Sequence, residues 1–242
     1  MKREELLQIA KPILFNTDMV RAILDGRKTV TRRCPSKRIE DKWFDYAEWV
    51  SAVKTPGSTS LTEKEFYEEY PPYHPGDILY VRETWKIMCA RRFDACVDIE
   101  YKSGGKTNRL IFTNSRSDNA NRDEYDGFVK KWWKDNGWRP SIHMPKEAAR
   151  IFLKVTDVRV ERLKDMTDKD ALNEGAQGVK CDHEGLGAYG CTDCMNTGWL
   201  EPPILEFMGI WNSTIKKSDI DRYGWDANPW VWVIEFERVV EG

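Results

Sequence analysis

A chain of 242 residues with 38 basic and 40 acidic side chains carries a formal net charge of −2, which excludes a uniformly basic, histone-like binder of polyanions but permits a local cationic site. A chain of this length can bury roughly 70–75% of its unfolded surface, so no disulfide is needed for folding, and 11 Trp with 40% hydrophobic residues exclude a disordered chain. No apolar run approaches the ~20 residues of a membrane span, and the opening MKREELLQIA is too acidic and too weakly apolar for a signal peptide; the expectation is a soluble, cytoplasmic protein with no membrane partner.

Lys11–Phe15 reads as a short strand. Asn16, Thr17 and Asp18 can cap a helix whose apolar positions Met19, Val20, Ile23 and Leu24 fall at helical spacing. Gly26 follows as its C′ residue, and Thr29–Arg33 alternates as a second strand. Residues 34–75 have little periodicity and read as an insertion. Pro75-Gly76-Asp77 signals a turn, and Ile78–Trp85 is a strong strand, with Leu79, Val81 and Glu83 on one face and Tyr80, Arg82 and Thr84 on the other. The runs CVDIEYKS and RLIFT flank Gly104-Gly105 as a hairpin. Residues 115–149 are polar, then Trp-rich, and read as a second insertion. Ala149–Leu163 is a long alternating strand, Thr167 opens a short helix through Glu174, and residues 176–202 form a third, cysteine-rich insertion. A helix over Ile204–Ile215 and a turn at residues 226–229 precede a last strand, Trp230–Val239. Strands far apart in sequence with few helices point to an α+β protein: a closed or nearly closed β-barrel with peripheral helices, in a single domain spanning 1–242.

Between Arg27 and Arg38 lie six cations (Arg27, Lys28, Arg32, Arg33, Lys37, Arg38) and no acid. Such a cluster can contact phosphate, with Arg as a bidentate fork and Lys as a point charge; it can equally be a solvated strand face. It begins on a tight glycine turn, and loops held by a rigid scaffold often carry function. Lys28 and Thr31 are three residues apart, so they can converge only if Lys28 sits on the turn and Thr31 on the strand proper. Glu83, at the end of an apolar strand face, is expected near the barrel mouth, as a ligand contact or in an internal ion pair. Trp85 is a base-stacking candidate or a core residue.

Four blocks in order, PILFNTDMVRAILDGRKTVTRR, HPGDILYVRETW, RIFLKVTDVRVERLKDMTDKDALNEG and GWDANPWVWVIEFERV, resemble the ASCH domain family, in its long version found in phages and prophages. The resemblance implies a PUA-like (ASCH) β-barrel and an association with RNA; together with the cation cluster it makes Arg27, Lys28, Arg32, Arg33, Glu83 and Trp85 the expected contacts to RNA or a nucleotide. Some small ASCH members are amidohydrolases that remove the acetyl group of N4-acetylcytidine with a Lys, a Thr and a Glu. Their G-R-K-T-x-T motif is matched by Gly26-Arg27-Lys28-Thr29-Val30-Thr31. The resemblance therefore implies Lys28, Thr31 and, in the helix after the long strand, Glu174 as catalytic residues. A Thr hydroxyl needs a base to become a nucleophile, and a Lys can be that base if burial or neighbouring cations lower its pKa. This chain is much longer than those enzymes. Other ASCH members have been linked to ribonuclease activity, and a phage assembly role is a third expectation.

Of six cysteines, Cys181, Cys191 and Cys194 cluster with His183, and Cys191-Thr192-Asp193-Cys194 is a C-x2-C knuckle. Four N/S donors suit a tetrahedral structural zinc with no open position, so Cys181, His183, Cys191 and Cys194 are expected to hold one; Asp182 or Glu184 could replace His183. The interleaved Lys130-Lys131-Trp132-Trp133-Lys134 suits either single-stranded nucleic acid or an amphipathic cap over a core.

Overall fold

The structure is a computed structural model and describes residues 2–53, 60–105, 107–112, 119–133, 137–182, 193–194 and 197–239. In chain order the elements are α1 (Arg3–Ile9), β1 (Lys11–Leu14), α2 (Thr17–Leu24), β2 (Val30–Arg33), α3 (Lys37–Val53), α4 (Glu63–Glu69), β3 (Ile78–Arg82), β4 (Trp85–Arg91), β5 (Cys96–Tyr101), β6 (Asn108–Ile111), α5 (Asn119–Trp132), β7 (Phe152–Arg162), α6 (Asp168–Asn173), β8 (Val179–Lys180), β9 (Trp199–Glu201), α7 (Pro203–Thr214), α8 (Ile220–Tyr223) and β10 (Trp230–Val239). The protein mixes helices and sheets. Among the described residues no helix is long and apolar enough to cross a membrane. The chain divides into two compact units, one made of residues 1–25, 77–154 and 237–242, the other of residues 26–76 and 155–236.

In the first unit, β1 runs parallel to β3, with Lys11 opposite Leu79 and Leu14 opposite Arg82, and β3 runs antiparallel to β7 from Ile78–Lys154 to Tyr80–Phe152. A second sheet, β4–β5–β6, is antiparallel throughout. Trp85, Ile87, Val97, Ile99, Tyr101, Met144 and Phe152 form its core with Leu6 of α1. Phe128, Val129 and Trp132 of α5 pack on that core, and the Trp132 and Trp85 rings meet edge to face at 5.6 Å. The Lys-Trp segment is thus an amphipathic cap, with Lys130 and Lys131 exposed.

In the second unit, β2 and β10 are antiparallel, with Thr31 opposite Ile234 and Arg33 opposite Trp232. Val30, Val231 and Val233 pack with Leu163, Ala171, Phe207, Trp211 and Trp225, so α6 and α7 cover one face of this pair. Gly26 ends the turn after α2 at φ +74°, a left-handed conformation that costs a glycine little. α6 carries a reciprocal cap. The Thr167 hydroxyl accepts from the Asp170 amide at 3.3 Å, and the Asp170 carboxylate accepts from the Thr167 amide at 2.9 Å. Thr167→Ala should therefore cost about 1 kcal/mol, read as a lower urea midpoint at unchanged m-value.

Several expectations need correction. Among the described residues the strand orders are linear, and no pairing closes a barrel. Residues 34–75 and 115–149, which show little periodicity in sequence, carry the helices α3, α4 and α5, which leaves their reading as insertions untouched. The helix α3 has little apolar periodicity because Phe44, Trp49 and Val53 are exposed while Trp43 and Tyr46 meet Phe66 of α4, so its apolar residues do not all lie on one stripe. The strand expected over Ile78–Trp85 is two strands: β3 stops at Arg82 and β4 starts at Trp85 in the other sheet. Glu83 therefore does not extend the Leu79–Val81 strand face.

Candidate functional site

The last carbonyls of a helix have no partner within it and attract donors and cations. The segment Arg27–Thr29 docks on the end of α6 in this way. The Thr29 amide donates to the Asn173 carbonyl at 2.9 Å, Lys28 Nζ to the Glu174 carbonyl at 2.9 Å, and Arg27 Nη1 to the Gly175 carbonyl at 2.8 Å. The strand β2 begins only at Val30, so Lys28 lies on the turn and Thr31 in the strand, and the Lys28 amine reaches the end of α6. Lys28 Nζ also donates to the Val30 carbonyl at 2.8 Å and to Glu174 Oε2 at 2.5 Å.

The centre of this arrangement is sealed from solvent. Lys28 is 2% exposed, Thr31 2%, Arg32 3% and Glu174 7%. Burial holds the Lys28 amine below the ordinary lysine range; Glu174 opposes this, while the Arg33 and Arg32 charges add to it. Burial likewise lowers the Arg33 guanidinium, against the attraction of Glu174. Arg32 sits on the Val30 face of β2, while Thr31 and Arg33 share the other. Its guanidinium is placed among three carboxylates: Glu174 Oε1 at 3.4 Å, Glu161 Oε2 at 3.5 Å and Asp170 Oδ1 at 3.7 Å.

No protein-family model, curated protein or solved structure matches the chain. The chemistry of the site therefore rests on its own residues. A buried amine whose burial favours the uncharged form against the pull of Glu174, a carboxylate touching it and a buried hydroxyl on the adjoining strand are residue types that proton transfer uses. A buried cation already tied to an acid is a poor phosphate clamp. Of the six cations, Lys37 and Arg38 are exposed and Arg27 is half-buried.

The nearby Cys34 is not a competing nucleophile, because burial and the Glu40 charge push its thiol up to about 12. Glu40 is itself held by Arg222 at 2.9 Å and by the Tyr223 hydroxyl.

Glu83 and Trp85 belong to the first unit. Glu83 is 1% exposed, and Arg150 grips both its oxygens, at 2.8 and 2.9 Å, while Ser103 donates a further hydrogen bond. It forms the internal ion pair of the two expected alternatives, with a partner the sequence did not single out. Trp85 is fully buried in the core. Of the zinc candidates, His183 and Cys191 lie outside the described residues, as does Glu184. Cys181 follows β8, and its amide donates to the Gly198 carbonyl at 3.0 Å, at the neck of the β8–β9 ribbon; Cys194 is buried. Among the described residues no three His, Cys, Asp or Glu side chains form a group that could hold a metal.

Sequence reasoning missed Glu161 and Asp170 as neighbours of Arg32. Asp170 lies in the short helix opened by Thr167 and Glu161 near the end of the long strand, and neither position carries a local signal that ties it to Arg32.

Proposed function

We propose that the chain is an ASCH-type, PUA-like amidohydrolase that deacylates N4-acylated cytidine or a closely related acylated nucleobase. The observation that supports this reading best is the buried 2.5 Å contact between Lys28 Nζ and Glu174 Oε2, with Thr31 buried on the adjoining strand. In this mechanism Lys28 takes the hydroxyl proton as Thr31 Oγ attacks the acyl carbon. The tetrahedral adduct collapses, the C–N bond breaks, and the exocyclic nitrogen leaves with the proton from Lys28. Water activated by the same amine then cleaves the Thr31 ester and releases the acid. Glu174 accepts from the Lys28 ammonium and stabilises the charge that forms there. Purified protein incubated with N4-acetylcytidine should release cytidine and acetate in equal amounts. No release, together with RNA binding that weakens steeply with salt, would favour the second reading.

That second reading, binding of RNA or a nucleotide without turnover, draws on the exposed Lys37 and Arg38 and the half-buried Arg27. Ribonuclease action would use the same cations, and an assembly role would show a co-purifying partner with neither activity.

We also infer a structural zinc in the β8–β9 insert, held by Cys181, Cys191, Cys194 and His183. The sulfur-rich donor set fits zinc, and the β8–β9 ribbon supports the inference by fixing Cys181 at its neck. Zinc would staple the insert and supply no step of the reaction. Purified protein should contain about one zinc per chain, by the four-ligand stoichiometry of such sites. Chelation should lower Tm, and Cys181→Ser with Cys194→Ser should abolish the metal; protein that folds metal-free with an unchanged Tm excludes the site.

A further inference from the structure

Arg32 has the wrong environment for an anion-binding residue. Its side chain is wholly buried on the Val30 face of β2, and every acceptor around its terminal nitrogens is a carboxylate of its own unit. The three contacts span 3.4–3.7 Å, longer than the ~2.7–2.9 Å of a tight charge-assisted bond. Among the described residues its Nε has no hydrogen-bond partner. A guanidinium locked into one structural ion pair would be bidentate and short. This one is shared, with Nη1 towards Glu174 and Nη2 towards Glu161 and Asp170.

The shared placement divides the Glu174 carboxylate. Oε2 belongs to Lys28 and Oε1 to Arg32. Glu174 is the C-cap residue of α6, so its side chain has no helical neighbour beyond it to fix its rotamer. The fork of Arg32, anchored on the far side by Glu161 of β7 and Asp170 of α6, supplies that restraint. We propose that Arg32 is a positioning residue: it holds the Glu174 carboxylate in the orientation that presents Oε2 to the Lys28 amine, and it withdraws part of that carboxylate's charge from Lys28.

The charged groups facing Lys28 are Glu174 at the end of α6 and Arg33 and Arg32 of β2; Asp170 and Glu161 act on it through Arg32. Glu174 alone would hold Lys28 as an ammonium, and Arg32 weakens that hold by its own charge and by occupying Oε1. Both effects have one sign. Their loss raises the pH at which Lys28 becomes a base.

This inference deepens the amidohydrolase reading, and its test separates the two. The Lys28 side-chain amine is titrated by NMR with selectively labelled lysine in the wild-type protein, in Arg32→Met and in Arg32→Lys, with Lys28→Arg assigning the signal. Arg32→Met should move the Lys28 midpoint up by about one pH unit, the effect of losing one close charge. Arg32→Lys keeps the charge without the fork, so it should restore most of the midpoint. In the deacylation assay Arg32→Met should lower kcat about 100-fold, as misplacement of a catalytic group does, with little change in KM, and should move the acid limb of the pH profile upward. Arg32→Lys should recover the limb but only part of kcat. If Arg32→Met does not fold, Arg32→Lys alone decides, because a partial loss of kcat at an unshifted limb is the expected signature of a lost fork. Variants that titrate and turn over like the wild type overturn the proposal. Wild-type protein with no deacylase activity overturns the functional reading, and the NMR midpoints still decide the role of Arg32.

Discussion

Lys28→Met should remove deacylation altogether within the sensitivity of a cytidine-release assay and should also destabilise the second unit. The two effects have separate causes. The amine is the group placed to take a proton, and loss of a positioned base costs about 10²–10⁴ in rate. Loss of the cation also leaves the carboxylate of Glu174, 7% exposed, buried beside Arg32 and Arg33 alone. Breaking a buried pair from one side costs about 3–5 kcal/mol, and the two arginines should hold the loss to the lower end of that range. Urea unfolding of the pure variant reads the second effect. Glu174→Gln, which keeps the shape and can still accept from Lys28, should destabilise less than Lys28→Met while losing activity. Thr31→Ser should keep part of the activity and Thr31→Val none, because only the former retains an oxygen nucleophile. Since burial holds Lys28 below the ordinary lysine range, the acid limb of the wild-type profile should fall below the pH at which a free lysine deprotonates. A Lys28→Met variant that still deacylates removes the amine from the mechanism and with it the proposed function.

What the sequence reveals here divides along physical lines. β1, α2, β5, β6, α6, α7 and β10 were legible because each combines a regular period with a local stop or start: Asn16 before α2, Thr167 before α6, the turn at 226–229 before β10. The helices α3 and α5 were not, because exposed Phe44, Trp49 and Val53 blur the periodicity of α3, and in α5 the single stripe of Tyr125, Phe128, Val129 and Trp132 is short and set in a strongly polar stretch. The break between β3 and β4 was invisible because Glu83-Thr84 interrupts two sheets without a glycine or proline. The Lys28–Glu174 pairing came from a resemblance, since no local pattern ties residues separated by 146 positions. The reach of Arg32 to Glu161 and Glu174, across 129 and 142 positions, had no sequence signal at all. Alternation placed Arg32 on the Val30 face of its strand, and only the position of α6 and the end of β7 brought carboxylates to it beside an apolar core.

The buried pair of the first unit yields a different expectation, because there the sequence left Glu83 with two roles and only one fits its surroundings. Glu83→Ala should cost about 3–5 kcal/mol. It leaves the Arg150 guanidinium, stacked over the Tyr101 ring at 3.9 Å, with the Gly104 carbonyl at 2.7 Å and Ser103 at 2.9 Å in place of a bidentate carboxylate. Arg150→Met should cost a similar amount by stranding Glu83, whose oxygens would keep only Ser103 among the partners described above. The double variant Glu83→Leu, Arg150→Met should be more stable than either single truncation, because a pair that leaves water together removes the uncompensated charge and fills the space with apolar volume. If Glu83 contributed to a binding function instead, Glu83→Gln would be nearly neutral in stability yet impair ligand affinity. A full double-mutant cycle read by urea unfolding, beside deacylation and RNA-binding assays on the same variants, distinguishes the two. A coupling energy near zero would show that Arg150 does not hold Glu83 in solution. A large coupling with unchanged activity would confine Glu83 to the stability of its own unit and leave the chemistry to Lys28, Thr31 and Glu174.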